Sequence, residues 1–262
     1  MKRILNYPGS KWKLARTIID IMPDHETYVE PFFGSGAVFF NKPAAKVSTI
    51  NDMDSRIVNF FRVCRDNPDK LIEKIKYTPH SREEYQKSYE VSDDPIEDAR
   101  RLMIRCWQAI GAKTSDNTGW RSIINPNGPD TPNEWGNVWK RIEEVASCLK
   151  TVQIEHQDAV KLLGRYDREN VLAYVDPPYL LETRSKRMYA CEFSDDDHIR
   201  LLDELVNFKG NVILSGYSSK LYDEKLSSWH KLYFDSVTEA GGRKVEVLWC
   251  NFEPSSQLSL FG

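Results

Sequence analysis

The sequence lacks the features that mark several classes of protein. No apolar run reaches the length of a membrane span, and the opening residues Met1 to Asn6 lack the apolar stretch of a signal peptide. The five cysteines are scattered, odd in number and without a Cys-x-x-Cys pair, so neither a disulfide framework nor a zinc site is expected. These absences predict a cytoplasmic protein with reduced cysteines and no bound metal.

The sequence also lacks a strong charge of either sign. The formal net charge is −3, which does not indicate a nucleic-acid-binding protein and does not exclude one, because a local basic surface is what meets phosphates. Basic residues gather near the N-terminus and again at Arg184, Lys186 and Arg187. Each of them is equally compatible with ordinary solvated surface charge.

The 262 residues suit one α/β domain with a smaller inserted lobe. Short apolar strands alternate with amphipathic helices up to about residue 66, and the alternation resumes at about residue 151. The pattern predicts a doubly wound, mainly parallel α/β sheet formed by residues 1–66 and 151–254. Residues 67–150 contain helices and a Gly/Asn/Pro-rich loop, which predicts an inserted, mostly helical lobe, and residues 255–262 are expected to form a flexible tail.

The tetrapeptide Asp176-Pro177-Pro178-Tyr179 follows the apolar run Val171–Val175, which is typical of a strand buried on both faces. Ligands of open α/β sheets bind beyond the carboxyl ends of strands. The two prolines stiffen the loop and remove two N–H donors, so it presents carbonyl oxygens and a carboxylate beside an aromatic ring. Those groups fit a flat base that carries an amino group, although a rigid loop that merely ends a strand is the alternative.

A second loop after a strand contains Glu30, Phe32, Gly34 and Gly36, and its glycines allow a ligand to approach the backbone. Asp52 ends the following strand, where a carboxylate can accept hydrogen bonds from ribose hydroxyls. Dinucleotide-binding folds place an acidic residue there too. The loop lacks the Gly-x-Gly-x-x-Gly form, which disfavours a nicotinamide cofactor.

The N-terminal stretch Asn6–Lys11 is a turn, and Ser10 is predicted to cap a helix that reaches about Ile21. Lys11 would then lie in the first helical turn, where the helix dipole disfavours a cation. An anionic partner such as a cofactor carboxylate would explain the lysine, and a solvated side chain is the alternative.

In their order along the chain these stretches resemble the adenine-specific DNA methyltransferases of the DNA adenine methylase (Dam-like) type. Asn6–Lys11 resembles the N-terminal cofactor motif of that family, Tyr28–Phe40 its glycine motif and Ile50–Ile57 its ribose motif. His156–Asp158 resembles a further motif on the cofactor side, and Asp176–Tyr179 matches the catalytic motif. The resemblance covers nearly the whole chain, and ordered matches are more specific than any one of them.

The resemblance implies a Rossmann-like class I methyltransferase fold and S-adenosylmethionine as methyl donor. It implies a catalytic motif of Asp176, Pro177, Pro178 and Tyr179. It also implies contacts to the cofactor from Tyr7, Lys11, Glu30, Phe32, Gly34, Gly36, Asp52, Asp158 and Asp176. The inserted lobe would be the target-recognition domain, and double-stranded DNA the substrate.

The chemistry of an adenine amino group explains the motif. Its lone pair is delocalised into the ring, so we expect Asp176 and the carbonyl of Pro177 each to accept one amino hydrogen and thereby localise the lone pair. Asp176 would also stabilise the positive charge that develops on the nitrogen. The base must leave the duplex to reach such a pocket, and stacking on Tyr179 would offset part of that cost.

The loop of the insert carries the candidate DNA-reading side chains, because arginine reads guanine and asparagine reads adenine. They are Lys113, Asn117, Trp120 and Arg121, and Arg184, Lys186 and Arg187 after the catalytic loop are candidates for phosphate contacts. An ordinary surface loop is the alternative. Family members that methylate GATC carry Asn-Arg-x-Gly-x-Phe-Asn in this lobe, whereas Lys113–Ser122 departs from that pattern, so the resemblance does not imply GATC specificity.

The C-terminal tail contains the apolar stretch Gln257, Leu258, Ser259, Leu260 and Phe261. It resembles short peptides that bind the bacterial sliding clamp, and packing against the protein itself is the alternative. Two other functions stay open at this point: an RNA or nucleobase methyltransferase of the same fold, and a DNA-binding protein without catalysis. Asp176 disfavours the first, since those enzymes more often carry asparagine there, and the intact motif disfavours the second.

Overall fold

The computed structural model describes residues 1–111, 116–125, 128, 130–183, 188–237 and 243–254. Within these residues, no helix is both long and apolar enough to cross a lipid bilayer.

One seven-stranded sheet forms the centre of the described structure. Its strands are β1 (Thr27–Glu30), β2 (Val47–Asn51), β3 (Gln153–Glu155), β4 (Val171–Val175), β5 (Asn211–Gly216), β6 (His230–Val237) and β7 (Arg243–Cys250). They lie in the order β3-β2-β1-β4-β5-β7-β6, and β7 runs antiparallel to both of its neighbours while the other pairs are parallel. This arrangement confirms the predicted doubly wound, mainly parallel sheet.

The strand order reverses between β1 and β4. From β1 the chain proceeds outward to β2 and β3, and from β4 it proceeds in the opposite direction to β5. At such a reversal the following loops turn to opposite faces of the sheet and leave a crevice beyond the strand ends. The glycine loop after β1 and the Asp-Pro-Pro-Tyr loop after β4 therefore flank one crevice.

The strands bury alternate side chains in two separate cores, as the two-residue period of a strand requires. Tyr28 and Tyr174 lie in one core, whereas their neighbours Val29 and Ala173 lie in the other. All five residues of β4 are buried, which confirms the prediction of a strand covered on both faces.

Helices occur both in the segments that form the sheet and in the insert. Those within the two predicted sheet segments are α1 (Ala15–Asp20), α2 (Ser55–Asp66), α8 (Ala159–Arg165), α9 (Asp195–Val206) and α10 (Lys220–Lys225). Ser194 begins α9 with a capping box in which its hydroxyl accepts from Asp197 N. The short helices α8 and α10 and the strand β6 were not predicted individually.

The inserted residues are helical, as predicted. They form α3 (Pro68–Lys76), α4 (Arg82–Lys87), α5 (Pro95–Gln108), α6 (Thr131–Val138), a 3-10 turn (Trp139–Arg141) and α7 (Ile142–Leu149). The Asp94 side chain caps α5 by accepting from Ile96 N at 2.9 Å. Met103 and Val145 of the insert belong to the same buried cluster as Tyr28 of the sheet. The insert thus shares a core with one face of the sheet, and its boundary as a separate recognition domain stays a prediction.

The predicted helix from Ser10 to Ile21 is wrong at its start. The helix α1 begins at Ala15, and its N-cap Leu14 makes no side-chain capping bond. The Ser10 hydroxyl instead bonds the Ser35 hydroxyl of the glycine loop at 2.8 Å, so it does not cap the helix, and Lys11 precedes the helix.

Candidate active site

A cleft lies beyond the carboxyl ends of β1 to β4, at the reversal of strand order. Eight of the nine predicted cofactor contacts line it: Tyr7, Lys11, Glu30, Phe32, Gly34, Asp52, Asp158 and Asp176. Pro178 of the catalytic motif lines it as well. The space between the walls is about 1020 Å³, a figure that includes open solvent at the mouth of the cleft. Segments far apart in the chain thus form one site.

The glycine loop takes a backbone conformation that other residues rarely adopt. Gly34 and Gly36 have φ angles of +50° and +65°. A Cβ atom at Gly36 would lie 2.5 Å from the Phe33 ring and 2.6 Å from the Phe40 ring. Gly36, which does not line the cleft, therefore shapes the loop through close packing. Its predicted contact with the cofactor stays a prediction.

Asp52 connects the end of β2 to the glycine loop. One of its carboxylate oxygens accepts from Gly34 N at 2.8 Å, and the other accepts from Asp54 N at 2.9 Å. Burial raises the pKa of Asp52 to about 6, and these backbone bonds oppose that effect. The carboxylate is held in place at the cleft, and each oxygen retains a lone pair for a hydroxyl donor.

Asn51 is a structural residue of the site that the sequence analysis missed. Its amide nitrogen donates to the carbonyls of Pro31 and Gln157 at 2.9 and 3.0 Å, and its amide oxygen accepts from Gln157 N at 2.9 Å. The side chain thereby joins the loops after β1, β2 and β3. An amide directly before Asp52, at the last position of the predicted strand, was the available signal.

Asp158 lies at the margin of the cleft, at the start of α8. It caps that helix by accepting from Lys161 N at 3.0 Å, and it pairs with Arg200 at 3.3 Å. The helix cap fixes the position of this carboxylate beside Ala159 in the wall of the cleft.

A buried ion pair connects the N-terminal segment to the catalytic loop. Lys11 Nζ lies 2.9 and 2.8 Å from the two carboxylate oxygens of Asp176. The lysine side chain is 6% exposed and the aspartate side chain 16% exposed. Burial raises the pKa of Asp176 to about 6, a rise that Lys11 opposes and the carboxylate of Glu246 enhances.

Lys11 has three polar partners. Besides Asp176 it donates to the Gly9 carbonyl at 2.9 Å, and it pairs with Glu246 at 3.1 Å. Burial lowers the pKa of Lys11, but the two carboxylates outweigh it and hold the pKa well above its usual value. The anionic partners of this lysine are therefore carboxylates of the protein, and a role in cofactor binding stays a prediction.

Tyr179 is held by contacts at its hydroxyl and its ring. The hydroxyl donates to Glu246 at 2.5 Å, and the Tyr217 ring meets the Tyr179 ring in an edge-on contact at 4.6 Å between centroids. Lys11 Nζ lies 4.9 Å from the centre of the same ring. The sequence analysis missed Glu246 and Tyr217. A lone carboxylate within the apolar run 245–249 was the signal for Glu246.

The segment 188–193 contributes Tyr189, Cys191, Glu192 and Phe193 to the wall of the cleft and was not predicted as part of the site. Tyr189 lies with its ring 6.3 Å from that of Tyr7, and Phe193 meets Phe32 edge-on at 5.3 Å. Glu192 accepts from the backbone nitrogens of Met188 and Tyr189 and so stabilises the bend of the segment.

The predicted DNA contacts lie partly outside the described residues. Those outside are Lys113, Arg184, Lys186 and Arg187, together with the tail residues Gln257, Leu258, Ser259, Leu260 and Phe261. Trp120 packs within the inserted lobe. Its indole donates to Gln108 at 3.2 Å, and the Arg82 guanidinium lies 4.9 Å from the centre of its ring. Asn117 is exposed and Arg121 half-buried.

The strand order, the glycine loop, the acidic end of β2 and the Asp-Pro-Pro-Tyr motif after β4 define a Rossmann-like class I methyltransferase. Residues 7–239 match the model of the D12 class N6 adenine-specific DNA methyltransferases, and the chain belongs to that family. It is an adenine-specific DNA methyltransferase, which confirms the function that the sequence analysis predicted.

Curated relatives extend over most of the chain. The type II methyltransferase M1.LlaDCHI of Lactococcus lactis subsp. cremoris is 28% identical, covering 93% of this chain and 90% of its own. The type II methyltransferase M.MjaIII of Methanocaldococcus jannaschii is 26% identical over 77% of this chain and 78% of its own. The DNA adenine methylase of Vibrio cholerae is 28% identical over 77% of this chain and 75% of its own.

Proposed function

We propose that this enzyme transfers the methyl group of S-adenosylmethionine to the N6 nitrogen of an adenine that has left a DNA duplex. The observation that carries the proposal is the placement of Asp176. Its carboxylate is paired with Lys11 and lies in the wall of the cleft that the glycine loop and Asp52 also line. The reaction on DNA implies the cytoplasm as its place of work in a prokaryotic cell.

The walls of the cleft match the chemical groups of S-adenosylmethionine. Asp52 offers fixed carboxylate oxygens to the two ribose hydroxyls. Phe32 and Ala159 offer apolar surface to the adenine ring, with Asp158 beside them, and Tyr7 lies on the N-terminal side of the cleft. When bound, the cofactor supplies an electrophilic methyl group.

Asp176 and the carbonyl of Pro177 accept the two amino hydrogens of the substrate. Accepting both hydrogens favours a tetrahedral nitrogen, whose lone pair is then available for the methyl group. The ion pair with Lys11 keeps the carboxylate anionic above a pH of about 6, the value to which burial raises its pKa. The negative charge then stabilises the positive charge that develops on the nitrogen, at a prepositioned acceptor.

Base flipping costs a few kcal/mol, and aromatic stacking returns about 1–3 kcal/mol per base. We assign the stacking contact to Tyr179, since its hydroxyl bond to Glu246 and its contact with Tyr217 hold the ring in one orientation. A ring that is already ordered loses little entropy when the base arrives.

We assign DNA recognition to the inserted residues 67–150. Asn117 and Arg121 are the described candidates for contacts with bases, and Trp120 supports the loop from within the lobe. Because Trp120 is held by Gln108 and Arg82, its substitution should disturb the loop rather than remove a single base contact.

A transfer assay with S-adenosylmethionine carrying a tritiated methyl group tests the proposal. Duplex DNA, RNA and protein are offered separately, and duplex DNA should acquire the label as N6-methyladenine. Label in RNA alone, or no label in any acceptor, would contradict it. Sequencing of modified bases in DNA from cells that express the enzyme then gives the recognition site.

A further inference from the structure

Glu246 is a buried carboxylate that connects two residues of the proposed active site. It lies in β7, and its side chain is 8% exposed. One oxygen, Oε1, accepts from the Tyr179 hydroxyl at 2.5 Å and from the Ser215 hydroxyl at 3.0 Å, and it lies 3.1 Å from Lys11 Nζ.

Packing alone does not account for this residue. A carboxylate in a protein core carries a large desolvation cost, and a well-packed apolar side chain is often equally stable in its place. The neighbours Val247, Leu248 and Trp249 on β7 are buried and apolar, as the interior of the sheet requires. The donors that compensate Glu246 include Lys11 and Tyr179 of the proposed site.

Lys11 interacts with two carboxylates, those of Asp176 and Glu246. Lys11 donates hydrogen bonds to the Gly9 carbonyl and to Asp176, and Glu246 is its second carboxylate partner, in an ion pair at 3.1 Å. Without Glu246 the lysine would retain only Asp176 as an anionic partner. The positive charge of Lys11 would then be neutralised by Asp176 alone, the carboxylate that accepts an amino hydrogen of the substrate in the proposed mechanism.

We propose that Glu246 is a positioning residue for methyl transfer. It holds Lys11 and Tyr179 in place, so that Asp176 remains a strong acceptor for the substrate amino group. The inference rests on the proposed role of Asp176. Glu246 acts through the two residues that it touches, so it is not itself a catalytic residue.

The electrostatics of the cluster agree with this role. Six titratable groups interact electrostatically with Asp176, from the N-terminal segment, β1, β4, the catalytic loop, α10 and β7: Lys11, Glu30, Tyr174, Tyr179, Tyr222 and Glu246. Burial raises the pKa of each of the three tyrosines, so they are neutral at pH 7. Burial also raises the pKa of Glu30 to about 8, which leaves it mostly protonated there. Lys11 and Glu246 are then the charges that act most directly on Asp176, with opposite effects.

Substitution Glu246→Gln tests the inference through the pH dependence of kcat/KM. Removal of the negative charge leaves Asp176 as the carboxylate partner of Lys11, which lowers the pKa of Asp176. The acid limb of the profile, where kcat/KM falls as the pH is lowered, should therefore move to lower pH by about one unit, the usual effect of one adjacent charge. The value of kcat at pH 8 should fall about tenfold, as for loss of a supporting partner, with little change in the affinity for S-adenosylmethionine. Glu246→Asp keeps the charge and should restore the acid limb toward that of the wild type.

The matched control is Asp98→Asn. Asp98 is also a buried carboxylate, in α5 of the inserted lobe; its side chain is 6% exposed and pairs with Arg56 of α2. Its substitution should lower the thermal midpoint without moving the acid limb.

If Glu246→Gln does not fold, Ser215→Ala provides the test, because it removes a hydrogen bond from Glu246 and keeps the charge. The acid limb should then move to higher pH.

An acid limb that stays at its wild-type position in Glu246→Gln, with kcat reduced equally at every pH, would overturn the inference. So would an unmoved limb in Ser215→Ala. The role of Asp176 is checked separately with Asp176→Ala, which removes the acceptor: an inactive variant supports the proposed function whatever Glu246 does. An active one removes the basis of both.

Discussion

The ammonium of Lys11 lies 2.8 Å from a carboxylate oxygen of Asp176, although 165 residues separate the two in the chain. The N-terminal segment and the loop after β4 meet here, at the reversal of strand order. The charge of the motif Asp-Pro-Pro-Tyr is thus controlled by a residue that precedes the first helix. Two predictions about catalysis follow from this pair directly.

Asp176→Ala should abolish methyl transfer and leave DNA binding nearly unchanged, because the carboxylate acts on the amino nitrogen rather than on the duplex. A rate loss of about 10³-fold or more is expected when such an electrostatic partner is removed. Tritium transfer measures the first property and fluorescence anisotropy with labelled duplex the second. Turnover near the wild-type rate would refute the assignment.

Lys11→Met should move the acid limb of kcat/KM to higher pH, since the lysine opposes the effect of burial on the pKa of Asp176. It also leaves two buried carboxylates unpaired, which should cost about 3–5 kcal/mol of stability. Lys13→Met is the matched control, because Lys13 is exposed two residues further on, and it should change neither property. Thermal unfolding and a pH series decide the outcome.

The activity of the wild-type enzyme should rise as the pH is raised through about 6 and then level off. Burial raises the pKa of both Asp176 and Asp52 to about 6, and each must be ionised to offer both oxygens as acceptors and a negative charge. The effect of pH on stability has the opposite sign. A carboxyl pKa that is higher in the folded state than in the unfolded state means that the folded state binds the proton more tightly. These two groups therefore add stability as the pH falls from about 7 toward 4. If kcat/KM between pH 5 and 8 were flat, the assignment would fail.

Gly36→Ala should destabilise the protein by about 2–3 kcal/mol and lower the affinity for the cofactor. The φ angle of +65° disfavours alanine, and the new Cβ would lie 2.5 Å from the Phe33 ring. The control is Gly136→Ala, in the helix α6, where a Cβ meets nothing within 4 Å. Alanine should stabilise that helix by about 0.5–1 kcal/mol. Equal thermal midpoints for the two variants would contradict the reasoning.

Tyr179→Ala should lower kcat more than the affinity for S-adenosylmethionine, because the ring is assigned to the target base. Tyr179→Phe keeps the ring and loses the hydroxyl with its hydrogen bonds to Glu246 and Ser215, so it should retain most of the stacking. Single-turnover kinetics and calorimetric titration of the cofactor separate the two effects. Parallel losses of turnover and cofactor affinity in the alanine variant would count against stacking.

Local signals in the chain were sufficient for the fold class and for the positions of the cofactor-side motifs. The apolar run Val171–Val175 is long enough to indicate a strand buried on both faces, and the motif at its end then falls at the ligand-binding edge of a parallel sheet. The predicted cap at Ser10 failed, because its hydroxyl bonds Ser35 across the site, a contact that local propensity does not contain.

Tertiary structure alone decided which side chains complete the site. Glu246 comes from a strand near the end of the chain, and only the insertion of β7 between β5 and β6 brings it to Lys11 and Tyr179. The partner of Lys11 was left open by the sequence for the same reason. Helix and strand periodicity reports on neighbours a few residues apart, whereas the charge balance of this buried cluster depends on strands whose order in the sheet differs from their order in the chain.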